Sequence, residues 1–585
     1  MSSSPSRPVS PLSNAADAPP AAVDTAADAA AIAAAIRRAE IDAQAGRLDD
    51  AQDGLMAVLA QAREHLDALA GLAYLAMRRD AYADASAWFD RALATEARGV
   101  EQSPAAASTQ ARIGLLRDAA LTHQRAGDLV RSRTLLTQLA ALLPSPENLL
   151  ALAMGHIALQ EYDAAQPLLE RAIHAQPMAW ELHYNLGRLL GMRGRYDEEI
   201  AAYRHALRIA PNAVPPEVNL GVALRDLHRF DEAMQSFKRA VQRDASSAEA
   251  RTNRAQTNLM RGEFEHGWRE YEWRWRDGPP TRPAFADDRN QWDGKSSLAD
   301  KTILLFAEQG FGDTMQFARL ALTVAARQPG RLVLRVQAAL VTLFEASPAF
   351  IDAGIVILSD AAPLPDFDVQ AALMSLPHLL NLRLLAIPTP IPYLFAPGAS
   401  THDHHPTLAG HANDHAASAH AAATAARAPA RRRIGLVWRG NPQHVNDHNR
   451  SIALAQWESL LRETQTDIEW LALHDRVPDT ETVLLQQWDR DGLIRDSRPM
   501  LKTFADTARE VATLDLVISV DSAVAHLAGA MGKTAWIVLP FTPDFRWLLT
   551  RTDTPWYPSA RLFRQTVRGE WSDVFDAIKM ALATV

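Results

Sequence analysis

From about Ala30 to Trp275 apolar residues return at the spacing of amphipathic helices, and the order of residue types repeats every 34 positions. Leu152, Leu186 and Leu220 form one column, each followed by a small residue, Ala153, Gly187 or Gly221. Aromatics recur at Tyr162, Tyr196, Phe230 and Phe264, small residues again at Ala172, Ala206 and Ala240, and Pro177 and Pro211 close two of the units. Large, small, aromatic, small at this period fits a helix–turn–helix unit: small positions let two helices approach, and the aromatic fills the gap to the next pair. Fainter copies lie upstream, with Tyr82, Phe89 and Ala92 in one and Leu129 and Leu136 in another, so six or seven units are expected. The last ends in GWREYEWRWRDG, where Trp268, Tyr271, Trp273 and Trp275 are too much aromatic surface for an exposed helix end. They are expected to pack on the domain C-terminal to the array.

After a linker with PPTRP and WDG, the pattern changes at Lys301 to short apolar runs bounded by turns: TILLFAE, RLVLRV, AGIVIL and FDVQAAL, alternating with helical stretches. A second block from Arg431 carries RRIGLVW, IEWLALH, LVISVD and TAWIVLP as strands, with QWESLLRE, TFADTAREVATL and SAVAHLAGAMG as helices. Strands of Val, Ile and Leu with helices between them imply parallel sheets covered on both faces. The expected organisation is a Ser/Pro/Ala-rich disordered segment over 1–28, a repeat array over 29–278, and an α/β unit over 279–398. An Ala/His-rich insert or linker over 399–431 and a second α/β unit over 432–585 complete it. The insert holds His402, His404, His405, His411, His415 and His420 without apolar periodicity. A metal site needs ligands on a rigid scaffold, so none is expected there.

A chain of 585 residues is too long for one core. No apolar run reaches the roughly 18 residues that span a bilayer. A formal charge of -9 argues against nucleic acid as the main partner. Zero Cys removes disulfides, thiolate nucleophiles, Cys-ligated zinc and Fe–S clusters. The opening MSSSPSRPVSPLSNAADAPPAA lacks a charged region followed by an apolar one, so no secretory signal is read and a cytoplasmic protein is expected.

Three stretches carry candidate chemistry. In LLFAEQGFGDTMQFAR a strand leads through Gly310 and Gly312 into a helix near Asp313. The glycines allow close approach of a ligand. Asp313 is placed either as a general base on an acceptor hydroxyl or as a helix N-cap. In VISVDSAVAHLAGAMGK a buried strand ends at Asp521 and turns into a helix at Ser522, where small residues, Ala523 among them, leave N–H groups open to an anion such as a diphosphate. His526, four positions on, shares the face of Ser522 and either bonds a ligand or sits satisfied in the core. In LVWRGNPQHVNDHNRSIAL a strand end is followed by Arg439, Asn441, His444, Asn446, Asp447 and Arg450, a set suited to a phosphorylated donor or else a solvated loop. Asp475 after IEWLALH is a further candidate, for a ribose.

EQGFGDTMQFAR, WRGNPQHVNDHNRSI, SVDSAVAHLAGAMGKTAWIVLP and PDFRWLLTRTDTPWYPSARLFRQ together resemble glycosyltransferase family nine, the ADP-heptose lipopolysaccharide heptosyltransferases, and the upstream array resembles tetratricopeptide repeats. The resemblance implies a GT-B fold of two Rossmann-like domains. It also implies inverting, metal-independent transfer of a sugar from a nucleotide-diphosphate donor, which is a co-substrate rather than a cofactor. Asp313 would be the base, and Asp521-Ser522-Ala523 with His526 would match the family pattern that cradles donor sugar and phosphates. Arg450 falls roughly where the family carries a phosphate-binding Lys. Ala523 stands where the family has Gly, and Arg450 replaces Lys, so the donor sugar is open. The repeats would recruit a protein or glycan acceptor. The competing expectation is a non-catalytic repeat scaffold with a degenerate transferase-like module.

Overall fold

The computed structural model describes residues 27–102, 109–278, 280–388, 391–398, 431–444 and 446–584. The N-terminal segment up to residue 26 and the six insert histidines lie outside the described residues. The chain divides into two compact units, one up to Pro211 and one from Asn212, so that the boundary falls inside the repeat array rather than at its end.

The first unit holds five antiparallel helical hairpins: Ala27–Gln44 with Leu48–Gln61, Leu66–Arg78 with Tyr82–Gln102, Thr109–Arg125 with Leu129–Leu142, Pro146–Ala158 with Tyr162–Ala175, and Trp180–Met192 with Tyr196–Ile209. The second opens with two more, Val214–Asp226 with Phe230–Arg243 and Ala248–Met260 with Phe264–Tyr271. Seven hairpins among the described residues meet the expected number.

One detail differs from the sequence expectation. A Cβ on Gly187 would lie 2.6 Å from the Tyr203 ring, and one on Gly221 2.5 Å from the Phe237 ring. The aromatic that fills the small position is therefore seven residues beyond the Tyr196 and Phe230 column, two helical turns along the same face.

The turns closing the hairpins need a left-handed residue, supplied by Gly194 and Gly262 but by His228 (φ 58) between them. That conformation costs a side chain roughly 1–2 kcal/mol. The His228 ring is compensated by a stack on Phe541 with centroids 4.1 Å apart.

The rest of the second unit contains two parallel sheets. One is built from β1 (Thr302–Phe306), β2 (Arg331–Val336), β3 (Val356–Ser359) and β4 (Val369–Ala372) in the order β3-β2-β1-β4. The other is built from β5 (Arg432–Val437), β6 (Ile468–Ala472), β7 (Arg495–Asp496), β8 (Leu516–Val520), β9 (Ala535–Leu539) and β10 (Ala560–Arg564) in the order β10-β9-β8-β5-β6-β7. Eight strands coincide with the expected runs. The two-residue β7 and the edge strand β10, whose ARLFR mixes arginines with apolar residues, have no counterpart among those runs. Strand order reverses between β1 and β4 and between β5 and β8, where ligand crevices open in such sheets.

The aromatic end of the array packs largely as expected. Trp268 is 1% exposed and meets Phe317 and Phe545 edge-on at 5.5 and 5.6 Å. Tyr271 packs on Phe545, and Trp275 lies 6.4 Å from Phe306 on β1. Trp273 is the exception. It is held within the repeat end between the guanidinium groups of Arg251 and Arg276, 4.2 and 4.8 Å from its ring.

Candidate functional site

β1 ends at Phe306 and the chain turns at Glu308, Gln309 and Gly310 into the short helix Phe311–Phe317. The turn is held from the repeat side. Arg274 donates to Glu308 at 3.0 Å and to the Ser375 hydroxyl at 2.8 Å, and the Gln309 amide donates to the Tyr271 hydroxyl at 3.3 Å. Burial pushes the Glu308 carboxyl up to about 7 against the opposing pull of Arg274. Gly310, not Asp313, occupies the N-cap position, and Asp313 reaches back from three residues on, its Oδ2 accepting from the Gly310 N–H at 2.8 Å. Its other oxygen, Oδ1, accepts from Arg546. Asp313 thus serves the helix start from the third helical position rather than as its N-cap, and its remaining oxygen is paired with Arg546.

β8 is fully buried and ends at Val520, with Asp521 directly after it. Ser522 caps the helix Ala523–Ala530, its hydroxyl accepting from the Ala525 N–H at 3.4 Å and bonded to Ser519 at 2.8 Å. The two helix starts touch: a Cβ on Gly312 would sit 2.7 Å from the His526 ring and 3.6 Å from the Ala523 Cα. Gly312 is therefore required by close packing of the two sheets' turns. His526 bonds the Tyr557 hydroxyl through Nδ1 at 2.9 Å and stacks on Trp547, with its Nε2 3.9 Å from Asp521. Burial, reinforced by Arg546, Arg319 and Arg450, holds its pKa well below the ordinary value, so the imidazole is neutral.

The loop after β9 supplies a residue that the motifs do not single out. Arg546, 8% exposed, bridges Asp313 and Asp544, the latter at 2.6 Å. Burial disfavours its charge, but Asp313, Asp544 and Asp521 outweigh that and raise its pKa above the ordinary value. The signal in the sequence is weak: PDFRW begins four residues beyond the end of the buried strand β9, which lies one strand away from the reversal between β5 and β8.

Burial, joined by the charge of Asp544, raises the Asp521 carboxyl to about 6, while Arg450 and Arg546 pull it back. Because the native pKa lies above the unfolded one, this carboxyl supports the fold below pH 4 and loses that contribution as pH rises toward 6. Asp521→Asn should therefore raise the thermal midpoint at pH 7.5 and leave it near wild type at pH 4. An equal shift at both values would mean that packing, not charge, sets it.

In the loop after β5, Arg450 donates to Asp447 at 3.2 Å and lies on Gly440, where a Cβ would fall 2.5 Å from its guanidinium. His444 feels Arg450, Asp544 and Asp313 from this same loop, and burial first, then Arg450, lowers its pKa. Three expected donor residues are not brought into the cluster. Arg439 is spent on Glu481, with two bonds of 2.7 Å, and Glu481 also accepts from Trp438 Nε1 and the Leu454 N–H. Asn441 is exposed and accepts from the Gln443 N–H at 3.0 Å. The Asp475 side chain is 76% exposed and bonds the adjacent Arg476 N–H. It follows β6, one strand away from the reversal between β5 and β8. Arg439→Met should cost about 2 kcal/mol by stranding the buried Glu481 carboxylate, and should leave nucleotide affinity unchanged. Thermal melting and calorimetric titration check both halves.

A tetratricopeptide repeat family model matches residues 150–214 and 218–266. Protein FlbA of Caulobacter vibrioides (strain ATCC 19089 / CIP 103742 / CB 15) is 25% identical over 445 residues, 72% of this chain and 70% of FlbA. That span is longer than the seven hairpins together and so reaches into the sheets. Among solved structures, a MamA crystal structure is 23% identical over 28% of this chain and 92% of its own, with a TM-score of 0.24. A tetratricopeptide repeat protein from Parabacteroides merdae ATCC 43184 is 16% identical over 43% of this chain and 94% of its own, with a TM-score of 0.35.

Proposed function

We propose that the two sheets form a GT-B module that transfers a sugar from a nucleotide-diphosphate donor to an acceptor recruited by the repeats. The observation that carries this reading is the meeting, at the carboxyl ends of β1, β5, β8 and β9, of a hydrogen-bonded aspartate, a partly exposed helix start, the buried Arg546 and the partly buried Arg450. Asp313 faces the cluster with Oδ1, while Ser522 and Ala523 remain partly exposed at the start of their helix. In the proposed step the acceptor oxygen attacks the anomeric carbon from the face opposite the diphosphate and its proton passes to Asp313. The bond from that carbon to the phosphate oxygen breaks, and the electron pair leaves with the nucleoside diphosphate. The helix N–H groups and Arg450 offset the charge growing on the leaving group.

The repeats supply the recruiting surface in this reading. In the first unit a groove of about 530 Å³, lined by Arg133, Thr134, Leu152, His156, Leu168 and Arg171, runs across the helices Leu129–Leu142, Pro146–Ala158 and Tyr162–Ala175. A second reading, a repeat scaffold without turnover, draws on one observation: the Arg546–Asp313 pair engages the carboxylate oxygen that a base would use. Incubating the full chain with a nucleotide-sugar library and weighing the products separates the two. Release of one nucleoside diphosphate supports the transferase, and intact donors throughout support the scaffold.

A further inference from the structure

Arg546 sits on a segment whose position is fixed from several sides. The Phe541 N–H donates to Gln565 Oε1 at 3.0 Å, and the Thr542 hydroxyl donates to the Asp226 carbonyl at 2.9 Å. Phe541 stacks on His228, and Phe545 is packed by Trp268 and Tyr271. Arg564 donates to the carbonyls of Trp547, Leu548 and Arg551 at 2.5, 3.1 and 3.0 Å. Leu548 takes φ 56 and ψ -163, a backbone state that a leucine keeps only when its surroundings impose it. A loop constrained in this way holds its side chain ready for a ligand rather than adapting to one.

The side chain it presents has an unused donor. Arg546 gives Nη1 to Asp544 and Nη2 to Asp313, while its Nε is buried with no partner. A guanidinium has five N–H groups in a fork that fits phosphate oxygens, and a diphosphate brings more charge and more acceptors than the single carboxylate oxygen it would replace.

We propose that Arg546 is a ligand of the donor diphosphate and that its ion pair with Asp313 is a latch that donor binding opens, freeing the base only once the donor is seated. The inference rests on the transferase reading above. In the closed latch, Asp313 Oδ1 is engaged and cannot accept an acceptor's proton. When the diphosphate takes Nη2 and Nε, Oδ1 is released while Oδ2 keeps its bond to the Gly310 N–H, so the carboxylate stays aimed. Donor then binds before acceptor, and an acceptor arriving first meets an occupied base.

The test is calorimetric titration of the full chain with ADP, GDP, UDP, CDP and dTDP, on wild type, Asp313→Asn, Arg546→Lys and Arg546→Gln. For the nucleotide that binds, the latch predicts tightening of about three- to tenfold in Asp313→Asn, because Arg546 no longer has a charged competitor. It predicts weakening of about tenfold or more in Arg546→Gln, with Arg546→Lys between Gln and wild type. A purely structural ion pair predicts no gain in Asp313→Asn. Wild-type binding with unchanged or weaker binding in Asp313→Asn, or with full affinity in Arg546→Gln, overturns the latch and leaves the transferase reading standing. Failure of every nucleotide to bind wild type removes the transferase reading and the latch with it. If circular dichroism shows Arg546→Gln to be unfolded, Asp313→Asn and Arg546→Lys decide.

Discussion

Asp313→Asn is expected to lower sugar transfer by about 10²–10⁴-fold, the contribution of a positioned general base, together with a fall in thermal midpoint, because the buried Arg546 is left with Asp544 as its carboxylate partner. The amide removes the proton acceptor but keeps an oxygen that can still accept from the Gly310 N–H, so the turn into the helix Phe311–Phe317 survives. Asp313→Ala is the less informative variant, since it deletes base and cap bond together. Turnover is followed by release of the nucleoside diphosphate, with folding checked in parallel. A variant that retains more than a tenth of wild-type turnover places the base elsewhere. His444, which lies within the field of Asp313 and Asp544, is the next group to test.

Much of this architecture is legible in the chain because its signals are local. A 34-residue period needs no tertiary information, and it locates the hairpins and their turns. Eight strands announce themselves as apolar runs, mostly buried except in the edge strand β3. β10 does not, because ARLFR lies at a sheet edge and mixes Arg with apolar positions, and β7 is too short to carry a period. Among site residues, Asp313, Asp521, Ser522, Ala523 and His526 sit at strand-to-helix turns, which sequence marks with Gly, Ser and Asp.

Arg439 and Asp475 illustrate the limit. Both follow strands in the expected way, yet one is captured by Glu481, 42 residues later, and the other is exposed and bonded to the N–H of its neighbour Arg476. Arg546 shows the converse. Its partner Asp313 is 233 residues away, on the other sheet, and no spacing rule joins them. What the chain hides is which charged groups end up as neighbours, since that depends on two sheets and a repeat hairpin closing around one point.

That closure makes Trp268 the residue whose removal should be felt furthest. Its ring meets Phe264 and Tyr271 in its own hairpin, Phe317 at the end of the Asp313 helix, and Phe545 beside Arg546, all within 5.9 Å between centroids. Trp268→Ala opens a cavity in a fully buried aromatic cluster and should cost about 3–5 kcal/mol, seen as a marked fall in thermal midpoint. The same cavity lies between the two elements that carry Asp313 and Arg546, so nucleotide affinity should fall as well, even at temperatures where the variant remains folded. Trp268→Phe, which keeps an aromatic ring at the centre, should recover most of the affinity and part of the stability. If Trp268→Ala lowers the midpoint but binds nucleotide as wild type does, the last repeat is a mere fastening, and the position of Arg546 is set by Arg564, Gln565 and the contacts of Phe541 and Thr542 with His228 and Asp226.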